Sequence, residues 1–358
     1  MVKPERILAR AGGSLRISRV RAGVSRIFAG VPQGDGATQG PHHFPRMKVI
    51  SADQVHAALS YPALIDALGE TYAGEFKMPP RQVFLLDDDE ANHDAFAVLP
   101  SWSAEFIGVK AFTYFPTAAA PYKSLYSQIL LFDRAHGQPL ALVDGTTVTF
   151  WRTAGISGLA TRLLSRENSE TMLVLGTGNL ASYIIRANAS VRPLKKIMVW
   201  GRSREKAEAV CAAAKAQLPH IEFSAIEDRQ AACAEADIVV AATGSHEPVV
   251  LGDWIKPGTH TDFIGNHHAT KRECDTALIT KSRVYVDSYV NAMKEAGEIL
   301  VPISEGVFRK EDIVAELAEM CRGGVTLRTS DDEITLFKSI GMALSDLVGA
   351  GLVYKTVG

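Results

Sequence analysis

The chain reads as an α/β protein: a doubly wound parallel sheet joined to a second, β-rich unit. Three observations point there. An apolar run, Met172–Leu175, stops at Gly176-x-Gly178-x-x-Ala181 and passes straight into a helix-compatible stretch, Leu180 to Ala189. From Thr171 onward apolar strands and helix-length segments alternate, the pattern that lays strands parallel. Before residue 152 the chain instead carries short β-like runs divided by turn residues.

Taken in order, folded sequence is expected to begin at Met47. Ser51-x-x-Gln54 is a capping box for a short helix, and a second helix is predicted from Tyr61 to Ala73. Strands are predicted at Val83–Leu86, Phe96–Leu99, Ile107–Phe115, Ser127–Phe132, Leu140–Val143 and Thr147–Trp151, separated by turns such as Asp133 to Gly137. A helix over about Thr153 to Leu164 leads into the alternating half. There the strands are Met172–Leu175, Ile197–Trp200, Ile238–Ala242, Thr259–Ile264 and Val284–Asp287, with helices near 204–216 and 228–235. Near the end, Ser330-x-x-Glu333 predicts the cap of a long amphipathic helix through about Val348, one that crosses back to the first unit.

Composition narrows the function classes. The 358 residues suffice for two domains with large cores. An apolar share of 47% and a formal charge of −2 describe a soluble globular chain and give no reason to expect a nucleic-acid partner. No apolar run has the length of a membrane span. Cys211, Cys233, Cys274 and Cys321 are scattered, without CxxC or zinc-like spacing. No metal site is expected, and reduced thiols in a cytoplasmic protein fit best. Residues 1–46 are rich in Arg and Gly, with Glu5 and Asp35 as their acids. An organelle transit peptide shares such an acid-poor start; the reading adopted is a disordered extension, or an upstream start ahead of Met47.

The glycine turn has the chemistry a dinucleotide pyrophosphate needs. Gly176 permits the tight turn, Gly178 lets the backbone approach phosphate, and Ala181 lets helix and strand pack closely. Thr177, Asn179 and Leu180 complete the segment that opens the helix, whose N-terminus offers free N–H groups to an anion. The next strand runs into Gly201-Arg202-Ser203-Arg204, with no acid for a ribose 2′-hydroxyl. Arginine forks and a hydroxyl suit a 2′-phosphate, so NADP(H) is the expected cofactor, with NAD(H) left open. Thr243 and Gly244 end a later strand, at the carboxyl edge where such ligands lie.

The ordered motifs Met78-Pro-Pro-Arg81, Gly108-Val-Lys110, Leu131-Phe-Asp133 with Gly137-x-Pro-Leu-Ala141, Arg152-Thr-Ala154, the Gly176 turn and Thr335-Leu-Phe-Lys-Ser-Ile-Gly341 give the chain a clear likeness. Over about residues 47–355 it resembles the ornithine cyclodeaminase/mu-crystallin family. The resemblance implies a substrate-binding and dimerisation domain made from 47–166 with 322–358, around an inserted Rossmann domain at 167–321. It implies a homodimer through the substrate domains and a nicotinamide cofactor acting on small α-amino or α-imino acids.

Arg81, Lys110 and Arg152 fall on the substrate-binding positions that the resemblance implies. Their chemistry stands apart from it: a guanidinium fork holds a carboxylate bidentately and orients the adjacent carbon. Lys110 interrupts an apolar run, so burial would lower its pKa and fit it to donate a hydrogen bond or relay a proton. Arg152, at the start of a helix-like stretch, is also a candidate cofactor contact. Ser124 matches a cofactor-side hydroxyl position loosely, since Pro121-Tyr-Lys123 replaces the usual Gly-Leu-Pro. In the loop from Gly265 to Glu273, His267 stands where cyclodeaminases carry a catalytic Asp, and Lys271 matches a cofactor-contacting position. His267 is a candidate proton donor or substrate partner. Simple hydride delivery to a cyclic imine therefore fits better than cyclodeamination of ornithine, with an alanine dehydrogenase or a mu-crystallin-type ligand-binding protein as further alternatives.

Overall fold

The computed structural model describes residues 47–87 and 93–357; the extension expected at 1–46 lies outside them. Six strands build a first sheet. They are β1 (Lys48–Ile50), β2 (Gln82–Leu85), β3 (Ala95–Trp102), β4 (Phe106–Tyr114), β5 (Leu125–Asp133) and β6 (Pro139–Asp144), in the order β1-β6-β5-β4-β3-β2. β1 lies parallel to β6 and every other pair is antiparallel. Helices α1 (Ala52–Ala58) and α2 (Tyr61–Ala73) follow β1, and the capping box of Ser51 and Gln54 forms as expected.

The segment Thr147–Trp151, expected as a strand, belongs instead to the 20-residue helix α3 (Gly145–Leu164). Its β-branched residues imitate a strand locally. The Asp144 carboxylate decides otherwise, capping the helix by accepting the Thr147 N–H at 2.7 Å. Burial of Val148, Trp151, Ala154 and Leu159 along α3 then outweighs the tenths of a kcal/mol by which β-branched residues disfavour helix.

Eight parallel strands form the second sheet: β7 (Thr171–Leu175), β8 (Lys196–Trp200), β9 (Glu222–Ala225), β10 (Ile238–Ala241), β11 (His260–Phe263), β12 (Arg283–Val286), β13 (Ile313–Glu316) and β14 (Thr335–Lys338). Their order is β13-β12-β14-β11-β10-β7-β8-β9. The connecting helices are α4 (Ala181–Ala189), α5 (Arg204–Gln217), α6 (Arg229–Glu235), α7 (Thr276–Lys281), α8 (Tyr289–Glu295), α9 (Gly297–Ser304) and α10 (Leu317–Arg322). Met172 and Val174 enter one apolar core, while Leu173 and Leu175 enter another. Both faces of the strand are thus covered, which is why its sequence is apolar throughout rather than alternating.

The helix expected from Ser330 does not form there. Glu333 folds back on Thr329, accepting from its N–H and its hydroxyl at 2.8 Å each. Residues Thr335–Lys338 are a fully buried strand between β11 and β12. The last helix, α11 (Ala343–Val357), starts only afterwards. So 335–338, expected with the first unit, lies in the eight-stranded sheet, and the chain crosses back after Gly341.

Candidate active site

The glycine turn follows β7. Gly176 has φ +126°, and a Cβ there would stand 2.5 Å from the Ala242 carbonyl oxygen, so only glycine fits. A Cβ on Gly178 would meet nothing, since that side faces a cleft. Gly201 lets the second loop approach the first: its Cβ would come 2.5 Å from Thr177 Cγ2. No side chain caps α4 at Leu180, and Ala181 packs at its buried start, so the helix end stays open to an anion. These features fit a bound dinucleotide.

The cleft is lined by Gly176, Thr177, Gly178, Gly201, Arg202, Thr243 and Gly244, together with Lys206, which the sequence reading missed. Asn179 borders an adjoining hollow with Phe150 and Tyr183. Ser203 is a helix cap whose hydroxyl accepts the Lys206 N–H at 3.3 Å. Arg204 is turned away to Glu208 and Glu227, at 2.9 and 2.6 Å. The Glu208 pair is an i,i+4 spacing on a helix and was legible in the sequence. Ser124 and Lys271 do not line the cleft. The Ser124 carbonyl pairs with the Phe115 N–H beside the first sheet, and the Lys271 carbonyl packs on Gly297.

A buried carboxylate that sequence reasoning missed shapes the floor. Glu273 Oε1 accepts from the Thr243 N–H and hydroxyl at 2.6 and 2.8 Å, and its Oε2 accepts the Gly265 N–H at 2.7 Å. Its own N–H donates to Glu298, which pairs with the fully buried Lys338 at 3.1 Å. Lys338 also donates to the Asn266 carbonyl at 2.8 Å. One buried cation thus ties together both loops at the carboxyl edge.

Lys110 of β4 and Arg152 of α3 meet at Asp346 of α11. Lys110 Nζ donates to Thr149 Oγ1 at 2.6 Å and to Asp346 Oδ1 at 3.1 Å. Arg152 Nε donates to the same Oδ1 at 3.0 Å. Among the described residues these two acceptors take two N–H bonds, so the cationic amine would have a third to offer. Among the described residues the Nη1 and Nη2 edge of Arg152 takes no protein acceptor, and it runs beside Gly341, where a Cβ would lie 3.1 Å from Nη1. Gly341 has φ +94°, and Asp287 fixes its loop by accepting the N–H groups of Ile340 and Gly341 at 2.8 and 2.6 Å. Burial lowers the Lys110 pKa; Asp346 opposes that fall and Arg152 adds to it.

Arg81 stands at the mouth of a neighbouring hollow and is paired with Glu295 of α8. His267 belongs to the same electrostatic neighbourhood. Although the residue is exposed, the protein crowded around its ring and the charges of Lys338, Arg152 and Arg81 hold its pKa below the ordinary value. A lowered pKa disfavours the imidazolium and so favours the expected role of hydrogen-bond partner over that of cationic proton donor. Among the described residues no cluster of His, Cys, Asp or Glu could hold a metal ion, and no helix is long and apolar enough to cross a membrane. The four cysteines are free.

Known proteins share this fold. A protein of Colwellia psychrerythraea named Delta(1)-pyrroline-2-carboxylate reductase is 50% identical over 312 residues, 86% of this chain and 99% of its own length. The structure of Thermococcus litoralis Delta(1)-pyrroline-2-carboxylate reductase in complex with NADH and L-proline superposes with a TM-score of 0.80 at 32% identity, over 87% of this chain and 97% of that one. An archaeal alanine dehydrogenase dimer with bound NAD gives a TM-score of 0.79 at 26% identity, over 87% and 96%. The sequence profile of the ornithine cyclodeaminase/mu-crystallin family matches residues 46–358. On that match and that identity, the chain belongs to the ornithine cyclodeaminase/mu-crystallin family.

Proposed function

We propose that this protein is an NAD(P)H-dependent reductase of small cyclic imino acids, of the Δ1-pyrroline-2-carboxylate or Δ1-piperideine-2-carboxylate type. The observation that carries this reading is the junction of buried Lys110 and Arg152 on Asp346, which leaves the Arg152 Nη edge available to a carboxylate, in a chain that also holds the glycine-turn cleft. Its kinship with reductases of Δ1-pyrroline-2-carboxylate points the same way. The nicotinamide, when bound, supplies a hydride to the C=N carbon. Arg152 holds the substrate carboxylate on its Nη edge and so fixes that carbon against the cofactor face. Lys110 gives a proton from its remaining N–H to the ring nitrogen, with its pKa lowered towards the working range by burial. Arg81 adds positive charge at the mouth once Glu295 yields it.

NADP(H) is the preferred cofactor in this reading, because Arg202 and Lys206 face the cleft where a ribose acid would otherwise stand. His267 serves as a hydrogen-bond partner. A cyclodeaminase would need a carboxylate where His267 stands, so ornithine is not the substrate in this reading. A homodimer through the first sheet is supported by the exposed apolar side chains of Val83, Phe84 and Leu85 on edge strand β2 and of Tyr126 on β5.

The test is NADPH and NADH consumption against both cyclic imines, pyruvate with ammonia, and ornithine. Rapid oxidation with a cyclic imine is expected. Ammonia release from ornithine at a similar rate would overturn the reading.

A further inference from the structure

We propose that Asp346 is the positioning residue of this site: one carboxylate oxygen fixes Lys110 and Arg152 to each other. The inference rests on the reductase reading for its kinetic consequence and on geometry for the rest. Lys110 reaches the site from β4, Arg152 from α3 and Asp346 from α11, three elements far apart in the chain. Asp346 Oδ1 accepts from both cations, at 3.1 and 3.0 Å, and its side chain is 2% exposed. Two cations this close repel each other, and the shared carboxylate makes their proximity possible.

The choice of atoms also matters. Asp346 takes Arg152 through Nε, the inner nitrogen, so the fork presents both Nη groups to a carboxylate. On Lys110 it takes one N–H, Thr149 takes a second, and the third is left for the ring nitrogen. The distance between carboxylate clamp and proton donor is therefore set by one atom. Asp346 contacts neither reacting centre in this scheme; it acts through the two side chains it holds.

The charged groups facing Lys110 are Asp346 on α11 and Arg152 on α3, while the neighbouring strands place Leu99 and Ile129 opposite it. Behind them, Tyr72 of α2 feels the charges of Asp287, Arg152 and Asp346. Loss of the Asp346 charge therefore leaves Lys110 with desolvation and a cationic neighbour alone, and both favour its neutral amine.

The experiment compares wild type with Asp346→Asn, which keeps an acceptor oxygen and removes the charge. NMR of 13C-labelled lysine, with the Lys110 signal assigned by Lys110→Arg, reads the Lys110 titration. We expect that titration to move to lower pH, with the alkaline limb of kcat for cyclic-imine reduction moving with it. NADPH affinity should stay near wild type, Tm should fall because two buried cations lose their counter-ion, and kcat/KM should fall about 100-fold. A second variant, Asp346→Glu, keeps the charge and displaces the oxygen; it should lower kcat/KM while leaving Lys110 cationic. An unmoved Lys110 titration in Asp346→Asn, or wild-type kcat/KM in either variant, overturns the proposal. Absence of imine reduction by the wild-type enzyme overturns the reductase reading instead, and the Lys110 titration still decides the role of Asp346.

Discussion

Arg202→Ala and Arg204→Ala should behave as different kinds of mutation, although the sequence presents the two arginines as a pair. Arg202 lines the cleft beyond β8, whereas Arg204 is held by Glu208 and Glu227. In the proposed complex a 2′-phosphate takes charge-assisted bonds from Arg202, worth about 1.5–3 kcal/mol net. That is a factor of about 10–150 in Kd. Wild type should therefore bind NADPH at least about tenfold more tightly than NADH. Arg202→Ala should raise the NADPH Kd towards the NADH value and leave the NADH Kd almost unchanged. Arg204→Ala acts only at a distance, by uncovering two carboxylates. One uncompensated unit charge on the order of 10 Å away in water contributes about 0.4 kcal/mol before screening, or a factor of about two. Calorimetric titration of each variant with both cofactors, at about 0.1 M salt, measures these differences directly. Equal affinity of the wild type for the two cofactors, or an Arg204→Ala loss as large as that of Arg202→Ala, would refute the reasoning.

Three further outcomes are expected. Arg152→Ala should lower kcat/KM for a cyclic imine by about 100-fold, and Arg81→Ala by less because Arg81 already shares its charge with Glu295; steady-state kinetics with the reverse ranking would exchange their roles. The alkaline limb of the kcat–pH profile should survive in His267→Ala, since the lowered pKa of that ring disfavours its cationic form, and a flattened limb would put His267 on the proton path. The buried pair His260 and Asp262 should oppose each other in acid. His260, pushed down to about 3 by burial and by Arg328 and Arg192, stays neutral while the unfolded chain binds a proton below about pH 6.5, so stability falls as pH falls. Asp262, pushed up to about 7 by burial, keeps a proton that the unfolded chain releases above about pH 3.9, so its share of stability falls as pH rises to 7. Each slope is about 1.4 kcal/mol per pH unit, so scanning calorimetry of Asp262→Asn between pH 4 and 6.5 should show a steeper acid loss than wild type; parallel curves would count against the buried protonated Asp262.

The readable parts of this protein are those with local causes. The Gly176 turn, the strand before it, the helix after it and the Ser51 capping box each follow from a few adjacent residues. Lys110 announced itself as a charge in an apolar run. Two local signals were misread: Asp144 three residues before Thr147 is a helix cap, and Glu333 four residues after Thr329 closes a loop rather than opening a helix. What the sequence withheld depends on distant partners. Asp346 meets residues 236 and 194 positions away, and Glu273 reaches back 30 to Thr243. Their one trace in the sequence is chemical: Asp346 and Lys338 are charges set among apolar neighbours, where an ion without a partner would be costly.

The place of β14 has a consequence for how the molecule comes into being. β11 and β12 do not touch each other in the sheet; both pair with β14, and β13 hangs on β12. A ribosome that has released everything up to Asp332 has therefore made a nucleotide-binding half with a gap, its outer two strands undocked. The few residues from Thr335 to Asp346 then do two things in one stroke: they fill the gap and deliver the carboxylate that joins Lys110 to Arg152. Assembly of the sheet and assembly of the reactive centre are a single late event, so a nascent chain should acquire protease resistance across β12–β13 and catalytic competence together rather than in sequence.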